Sequence, residues 1–395
     1  MNPAVEDEGE RSARTFEVEI ERLLPGGVGL AHAEGLTLFV SLAAPGDVVQ
    51  IKIDRVQGKL GYASIQEIVK PSAVRVEPPC PYFGLCGGCD FQQLTYEAQL
   101  NAKVEIIRDC LRRLAGIDVT GEIPMHASPD EWHYRARAMW QLDPVRGYLG
   151  YFARGSRDVC DVEYCAVLAP ELEDTFEKLR KKLRAQGAPR ELRNIEAVVG
   201  DERVSTSLQP TEVSRIIGNE RYHFSAQAFF QINHALLPAL TAEAIGEEKG
   251  KIAIDLYCGV GLFTLPLARR FQEVVAVETN ERAAHFARRN LEFAELKNAE
   301  VVTLDVGEWL KYYRSFEPLD LLLLDPPRAG VENRVIEGIL SVRPQQIVYV
   351  SCDPATLARD LKKLIAGGYS FHSVVAFDMF PQTHHVETVV RLLVT

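Results

Sequence analysis

Between Arg14 and Val74 apolar residues fall on every second position in short runs broken by Gly and Pro: FEVEIERL, PGGVGLAHAEG, LTLFVSL, APGDVVQIKIDRV and GKLGYASIQEIV. That period of two predicts the strands of a small β-barrel over residues 14–75. The acidic stretch before it, 1–13, is expected to be a disordered tail. After a cysteine cluster, LTYEAQLNAKVEIIRDCLRRLAG carries apolar residues at helical spacing. Strand-like runs then mix with one charged helix, ELEDTFEKLRKKLRAQG, and residues 76–235 are expected to form a central α+β domain. From about Leu236 the pattern changes again. KIAIDLYC, EVVAVET, AEVVTLD, LDLLLLDPP, QQIVYVSC and YSFHSVVAFDMF are continuous apolar runs separated by helical stretches. Strands covered by helices on both faces read this way, so 236–395 is expected to be a doubly wound, Rossmann-like α/β domain with a parallel sheet.

A length of 395 residues agrees with two or three domains, and 47% hydrophobic residues suffice for real cores. The net charge of -11 opposes nonspecific coating of nucleic acid, yet leaves room for a local basic face and an RNA partner. No apolar run reaches the roughly 18 residues of a membrane span, and the acidic N-terminus does not resemble a signal peptide. The expectation is a cytoplasmic protein that does not engage membranes, and a monomer. In that reducing compartment the eight cysteines point to metal binding or catalysis rather than disulfides.

IAIDLYCGVGLFTLPLARR is a strand, a glycine turn and a helix start, with Asp255 at the strand end and Gly259 and Gly261 in the turn. Glycines there let the backbone approach a ligand at a helix N-terminus. A dinucleotide fingerprint would place Gly where this chain has Thr264, which disfavours nicotinamide or flavin. Glu278 ends the next apolar run, where an acid can hold both ribose hydroxyls, and Asp305 ends the one after, placed to meet an adenine. Each acid alone reads equally well as a helix cap. Their recurrence at successive strand ends favours a nucleoside-bearing cofactor such as S-adenosylmethionine.

Two further motifs, LLLLDPPRAG and IVYVSCDPATLARD, follow later strands. Cys352 stands between a strand end and a helix N-terminus, a position that lowers a thiol pKa and suits a nucleophile. Uracil carbon 5 is a poor nucleophile until a group adds to carbon 6, and a thiolate suits that addition. A base must then take the carbon 5 proton. In MFPQTHHVETVV, Glu387, His384 and His385 compete for this role. Phe229, Phe230 and Phe380 are candidates to stack on a splayed base, although core packing is the commoner use of Phe. Arg135 and Arg137 either touch phosphate or solvate a strand.

Cys80, Cys86 and Cys89 have the spacing C-x5-C-x2-C, and a fourth ligand must come from Cys160 or Cys165. Four thiolates suit zinc or an iron–sulfur cluster, and the spacing does not choose. Cys110 and Cys258 are assigned to packing.

GVGLFTLPLA, DPPRAG, VSCDPATLARD and MFPQTHHVET together resemble the RNA 5-methyluridine (uracil-C5) methyltransferase family, in the branch with an N-terminal TRAM barrel and an iron–sulfur cluster. The resemblance spans nearly the whole chain. It implies a class I methyltransferase domain preceded by a TRAM or OB-like barrel and a central domain with a metal-cluster insertion. It also implies Cys352 as nucleophile and Glu387 as base, and S-adenosylmethionine contacts at Gln231, Tyr257, Glu278 and Asp305. Asp325 would contact cofactor or target base. Leu262 departs from the polar residue usual after the second glycine. The cluster would be [4Fe–4S] on Cys80, Cys86, Cys89 and Cys165, with zinc the alternative. The expected substrate is 23S ribosomal RNA, with transfer RNA second. A noncatalytic RNA-binding protein would leave Cys352, Glu387, Asp325 and the glycine turn without a task together. A DNA or small-molecule methyltransferase would leave the barrel and cysteines without one.

Overall fold

The computed structural model describes residues 15–314 and 317–395, so the stretch expected as a disordered tail lies outside the described residues. These fall into two compact units. One holds the chain up to Ile106 with Ala153–Ser156 and Pro381–His384, and the other holds the rest.

In the first unit, β1 (Thr15–Glu19), β2 (Arg22–Leu23), β3 (Gly29–Ala33), β4 (Leu36–Val40), β5 (Val48–Gln57) and β6 (Leu60–Lys70) form one sheet in the order β1-β5-β6-β4-β3-β2. Only β4 and β6 run parallel. The alternation seen in the sequence is realised on β5, where Val49, Ile51 and Ile53 are buried and Lys52 and Asp54 are exposed. Buried Asp47 anchors the chain that leaves the sheet, accepting from Ser72 N at 2.9 Å and pairing with Arg75 at 2.7 Å. Helix α1 (Tyr96–Cys110) follows, and its continuation Leu111–Ala115 widens into a π turn that ends at Gly116 with φ 74°.

The second unit, which takes over at Ile107 within α1, continues with β7 (Met125–His126), β8 (Arg137–Asp143), β9 (Tyr148–Phe152), β10 (Val159–Asp161), α2 (Pro170–Gln186), β11 (Asn194–Val199), β12 (Val204–Thr206), β13 (Val213–Ile217) and β14 (Glu220–Phe224). A five-stranded antiparallel sheet, β10-β9-β8-β11-β12, and the hairpin β13-β14 result. Helix α2 starts with Pro in its first turn and acids at Glu171 and Glu173, and carries Arg184 in its last, as the helix dipole favours. It packs Phe176 on Trp140 with ring centroids 5.1 Å apart.

The catalytic-type layer comprises α3 (Leu237–Ile245), β15 (Gly250–Leu256), α4 (Thr264–Ala268), β16 (Phe271–Glu278), α5 (Glu281–Phe293), β17 (Ala299–Thr303), α6 (Val306–Tyr312), β18 (Leu321–Leu324), α7 (Asn333–Val342), β19 (Gln346–Ser351), α8 (Pro354–Ala366), β20 (Tyr369–Phe377) and β21 (Glu387–Val394). Its sheet has the order β17-β16-β15-β18-β19-β21-β20-β7. The first five strands are parallel, as the apolar runs predicted. Of the other three, β20 and β7 share that direction and only β21 opposes it. β21 inserts between β19 and β20 and runs antiparallel to both, because it returns from β20 through a loop with no crossover helix. The reversal matters for the site, since it brings the amino end of β21 to the edge where β15, β16, β18 and β19 end. Among the described residues no helix is long and apolar enough to cross a membrane.

Candidate active site

The strand order reverses direction between β15 and β18, and ligands bind outside such a switch point at the carboxyl ends of the strands. A pocket of about 530 Å³ opens there, wholly within the second unit. On leaving β15 the chain takes a positive φ at Tyr257 (62°), Gly259 (57°) and Gly261 (93°). Only glycine adopts such angles without strain, and at Gly259 nothing lies within 4 Å of where a Cβ would stand, so the backbone itself forms the wall. Glu278, at the end of β16, accepts from Gly259 N at 3.0 Å and Asn280 N at 2.7 Å. The two backbone amides fix its carboxylate at the pocket wall. Val260, Leu262 and Phe263 supply apolar lining. An acid beside an open glycine wall and an apolar slot fits the ribose and base of a nucleoside-bearing cofactor.

The other half of the pocket carries the reactive groups. Cys352 follows β19, and the register Ser351 to Thr388 places Glu387, the first residue of β21, beside it. Glu387 is buried, and its Oε1 has no hydrogen-bond partner. Asp325 follows β18 and accepts from Gln231 Nε2 at 3.2 Å. Burial and the charge of Asp325 push the Glu387 carboxyl up, while Arg328 opposes them. Burial likewise raises Asp325, against its bond from Gln231. For Cys352 the helix N-terminus does not prevail: burial and Glu387 push the thiol up to about 12, with Arg328 pulling the other way. Burial thus favours the thiol form of Cys352, against the lowered pKa expected from its place beside a helix N-terminus. Arg328, a cation of the DPPRAG run, was not singled out by the sequence reading, although it lines the pocket and acts on both groups.

The remaining candidates divide. Gln231 and Tyr257 line the pocket, and burial raises the Tyr257 hydroxyl. Asp305 does not line it. It caps α6 by accepting from Glu308 N at 3.0 Å and pairs with Arg334 at 3.1 Å, the alternative that the sequence left open. Asp255 points into the core, accepting from Thr264 Oγ1 at 2.5 Å, and burial pushes its carboxyl up to about 7. His384 does not line the pocket, and its Nδ1 lies 2.6 Å from Asp90 Oδ2. His385 packs edge-on against Phe380. Of the three phenylalanines Phe230 and Phe380 are buried, but Phe229 is 56% exposed while lining the pocket, against the expectation that it is core. The Arg137 guanidinium lies 5.5 Å from the Phe229 ring and is held by Glu196 at 2.6 Å. It is therefore an ion-paired strand residue. Arg135 continues the backbone network, its N–H donating to Val167 O at 2.9 Å.

Cys110 and Cys258 are buried, as packing requires, although Cys258 also lines the pocket. Among the described residues no three His, Cys, Asp or Glu are gathered so as to hold a metal ion. The expected metal-cluster insertion therefore has no ready ligand set. Cys80, Cys86 and Cys89 belong to the first unit, and Cys160 and Cys165 to the second. Burial raises the Cys165 thiol, whose backbone N–H donates to Glu173 at 3.1 Å.

The chain matches a family model described as tRNA (Uracil-5-)-methyltransferase over residues 162–394, and a TRAM domain model over residues 11–65. It is 32% identical to the 23S rRNA (uracil(1939)-C(5))-methyltransferase RlmD of Marinomonas sp. (strain MWYL1), over 96% of this chain and 94% of that one. The protein of the same description from Vibrio parahaemolyticus is 31% identical, over 94% of each chain. Among solved structures, the Pyrococcus abyssi tRNA (uracil-54, C5)-methyltransferase in complex with S-adenosyl-L-homocysteine superposes with a TM-score of 0.74. That match has 25% identity over 96% of this chain and 100% of that one.

Proposed function

As a member of the tRNA (uracil-5-)-methyltransferase family with a TRAM domain, this chain is an RNA uracil-C5 methyltransferase, and we propose that it acts on 23S ribosomal RNA with Cys352 as nucleophile and Glu387 as base. The observation that carries the assignment of roles is the shared pocket. Cys352 and a buried Glu387 whose Oε1 has no hydrogen-bond partner face one crevice together with Asp325 and Arg328.

S-adenosylmethionine, when bound, supplies an electrophilic methyl group on a sulfonium. Glu278 would hold its ribose hydroxyls, Gly259 would let the backbone approach it, and Tyr257 would flank it. Gln231 and Asp325, bonded to each other, would contact the cofactor, with the target base the alternative partner of Asp325. Cys352 would pass its proton to solvent water and its sulfur would bond to carbon 6, the electron pair of the 5,6 double bond moving towards carbon 5 and the carbonyl. Carbon 5 takes the methyl. Glu387 then accepts the carbon 5 proton, the double bond re-forms, and the carbon 6 to sulfur bond breaks. A carboxyl raised by burial is a stronger base once ionised than one in water. The uridine must leave its stack to reach this pocket, and the exposed ring of Phe229 offers a face to it.

The test is methyl transfer from labelled S-adenosylmethionine to unmodified 23S ribosomal RNA and to unmodified transfer RNA, with digested nucleosides separated. Label in 5-methyluridine from the ribosomal RNA, absent with Cys352→Ala, is expected; uridine 1939, named for the relatives, is the first site to examine. Label in transfer RNA alone would reassign the substrate. Label in neither would overturn the catalytic reading.

The assignment extends to a [4Fe–4S] cluster on Cys80, Cys86, Cys89 and Cys165, a reading that the family resemblance implies where the cysteine spacing leaves zinc open, and one given no step in the reaction. Anaerobic purification followed by iron and sulfide analysis checks it. About four of each per chain are expected for such a cluster, and zinc in their place would contradict it. A cytoplasmic monomer completes the reading.

A further inference from the structure

A second concavity, of about 960 Å³, lies in the same unit as the methylation pocket, between α2 and β12 with its following turn. Its floor is apolar, from Leu183, Leu192 and the 43% exposed Leu208. Lys178, Lys182 and Arg203 line it, and no Asp or Glu does, in a chain where 55 acids outnumber 44 bases. Charge is segregated along α2. Glu171, Glu173, Asp174 and Glu177 fall before Lys178, whereas from there to Arg193 Glu191 is the only acid. The helix dipole favours part of this order in the first and last turns, but it has no hold on Arg203, which comes from a different element. Lys178 pairs with Asp174 on the exposed helix face. Among the described residues no ion pair engages Lys182 or Arg203, although both are exposed.

We infer that this groove binds the phosphate backbone of the substrate RNA away from the uridine being methylated. The inference rests on the reading of the chain as an RNA methyltransferase. Cations without carboxylates complement phosphate, and the apolar floor accommodates sugar and base edges. An acidic protein needs such a confined cationic track, because its mean field repels RNA.

The test compares full-length wild type with Lys182→Gln/Arg203→Gln and with the charge-keeping Lys182→Arg/Arg203→Lys, using an unmodified 23S ribosomal RNA transcript. Binding is measured by Kd over a salt series, and turnover by KM and kcat. The neutral pair is expected to raise Kd and KM about tenfold near physiological salt. It should leave kcat at saturating RNA unchanged and flatten the slope of log Kd against log salt by about 1.4, at roughly 0.7 per lost single-strand phosphate contact. The charge-keeping pair should behave as wild type. Unchanged Kd, KM and slope in the neutral pair would overturn the groove while leaving the methylation reading intact. A wild type that binds RNA through these residues without methylating it would overturn that reading and leave the groove standing.

Discussion

In the proposed mechanism Cys352 and Glu387 share a difficulty, since burial pushes both groups towards their protonated forms while that mechanism needs a thiolate in the first step and a carboxylate in the last. Arg328 is the pocket cation that opposes both shifts. The sign follows directly. A raised pKa leaves less of the reactive form at neutral pH, so kcat/KM should climb as pH rises from neutral into the alkaline range. Arg328→Ala removes the opposing charge and is expected to move that climb up by about one pH unit, the lower end of what a neighbouring opposite charge does. Initial rates across a pH series read this out, and an unmoved profile would show that Arg328 does not tune the pair. The residue types and their order were legible in SCDPAT and HVET. Their ionisation was not, because burial is a property of the assembled pocket. Asp305 shows the converse, since a strand-end acid and a helix-capping acid have the same sequence signature. The two rings of Phe229 and Phe230 likewise could not be told apart before one turned outward.

At the scale of elements, the Cys352 loop and the DPPRAG loop are tied together by α8. Thr356 donates to Arg328 O at 3.2 Å and Arg359 to Ala329 O at 2.9 Å, while Asp360 accepts from Val331 N and Tyr349 OH, each at 2.9 Å. Asp360 has no exposed surface, and a Cβ on Gly330 would stand 2.4 Å from its Oδ2, so the loop packs directly on this carboxylate. Asp360→Asn halves the acceptor capacity there and is expected to cost about 1–3 kcal/mol of stability. It should also lower kcat more than it raises KM, because it loosens Asp325 and Arg328 relative to Cys352. Thermal melts with steady-state kinetics check both, and loss of stability with kcat intact would make the brace purely structural. The parallel strands of this layer were legible because burial on both faces leaves continuous apolar runs. The direction of β21 was not, since an apolar run carries no sign of its polarity in the sheet. The short strands between Arg137 and Phe224 were blurred for another reason: three to seven half-buried residues give too few alternations to define a period.

At the scale of the molecule, a net charge of -11 sits on a protein whose substrate is a polyanion. The charge total alone argues against nonspecific coating of nucleic acid, not against an RNA substrate. The distribution agrees, because Arg328 serves the pocket while Lys182 and Arg203 line the groove. The central claim remains the covalent role of Cys352. It is tested most directly by incubating the protein and S-adenosylmethionine with 23S ribosomal RNA transcribed with 5-fluorouridine, then mapping the cross-linked peptide by mass spectrometry. Fluorine cannot leave carbon 5 as a proton does, so addition and methyl transfer should proceed and release should stop. The expected result is a methylated fluorouracil nucleotide bonded to the peptide that contains Cys352, and none with Cys352→Ala. Methylation of ordinary RNA without any such adduct, or an adduct on another residue, would contradict the account.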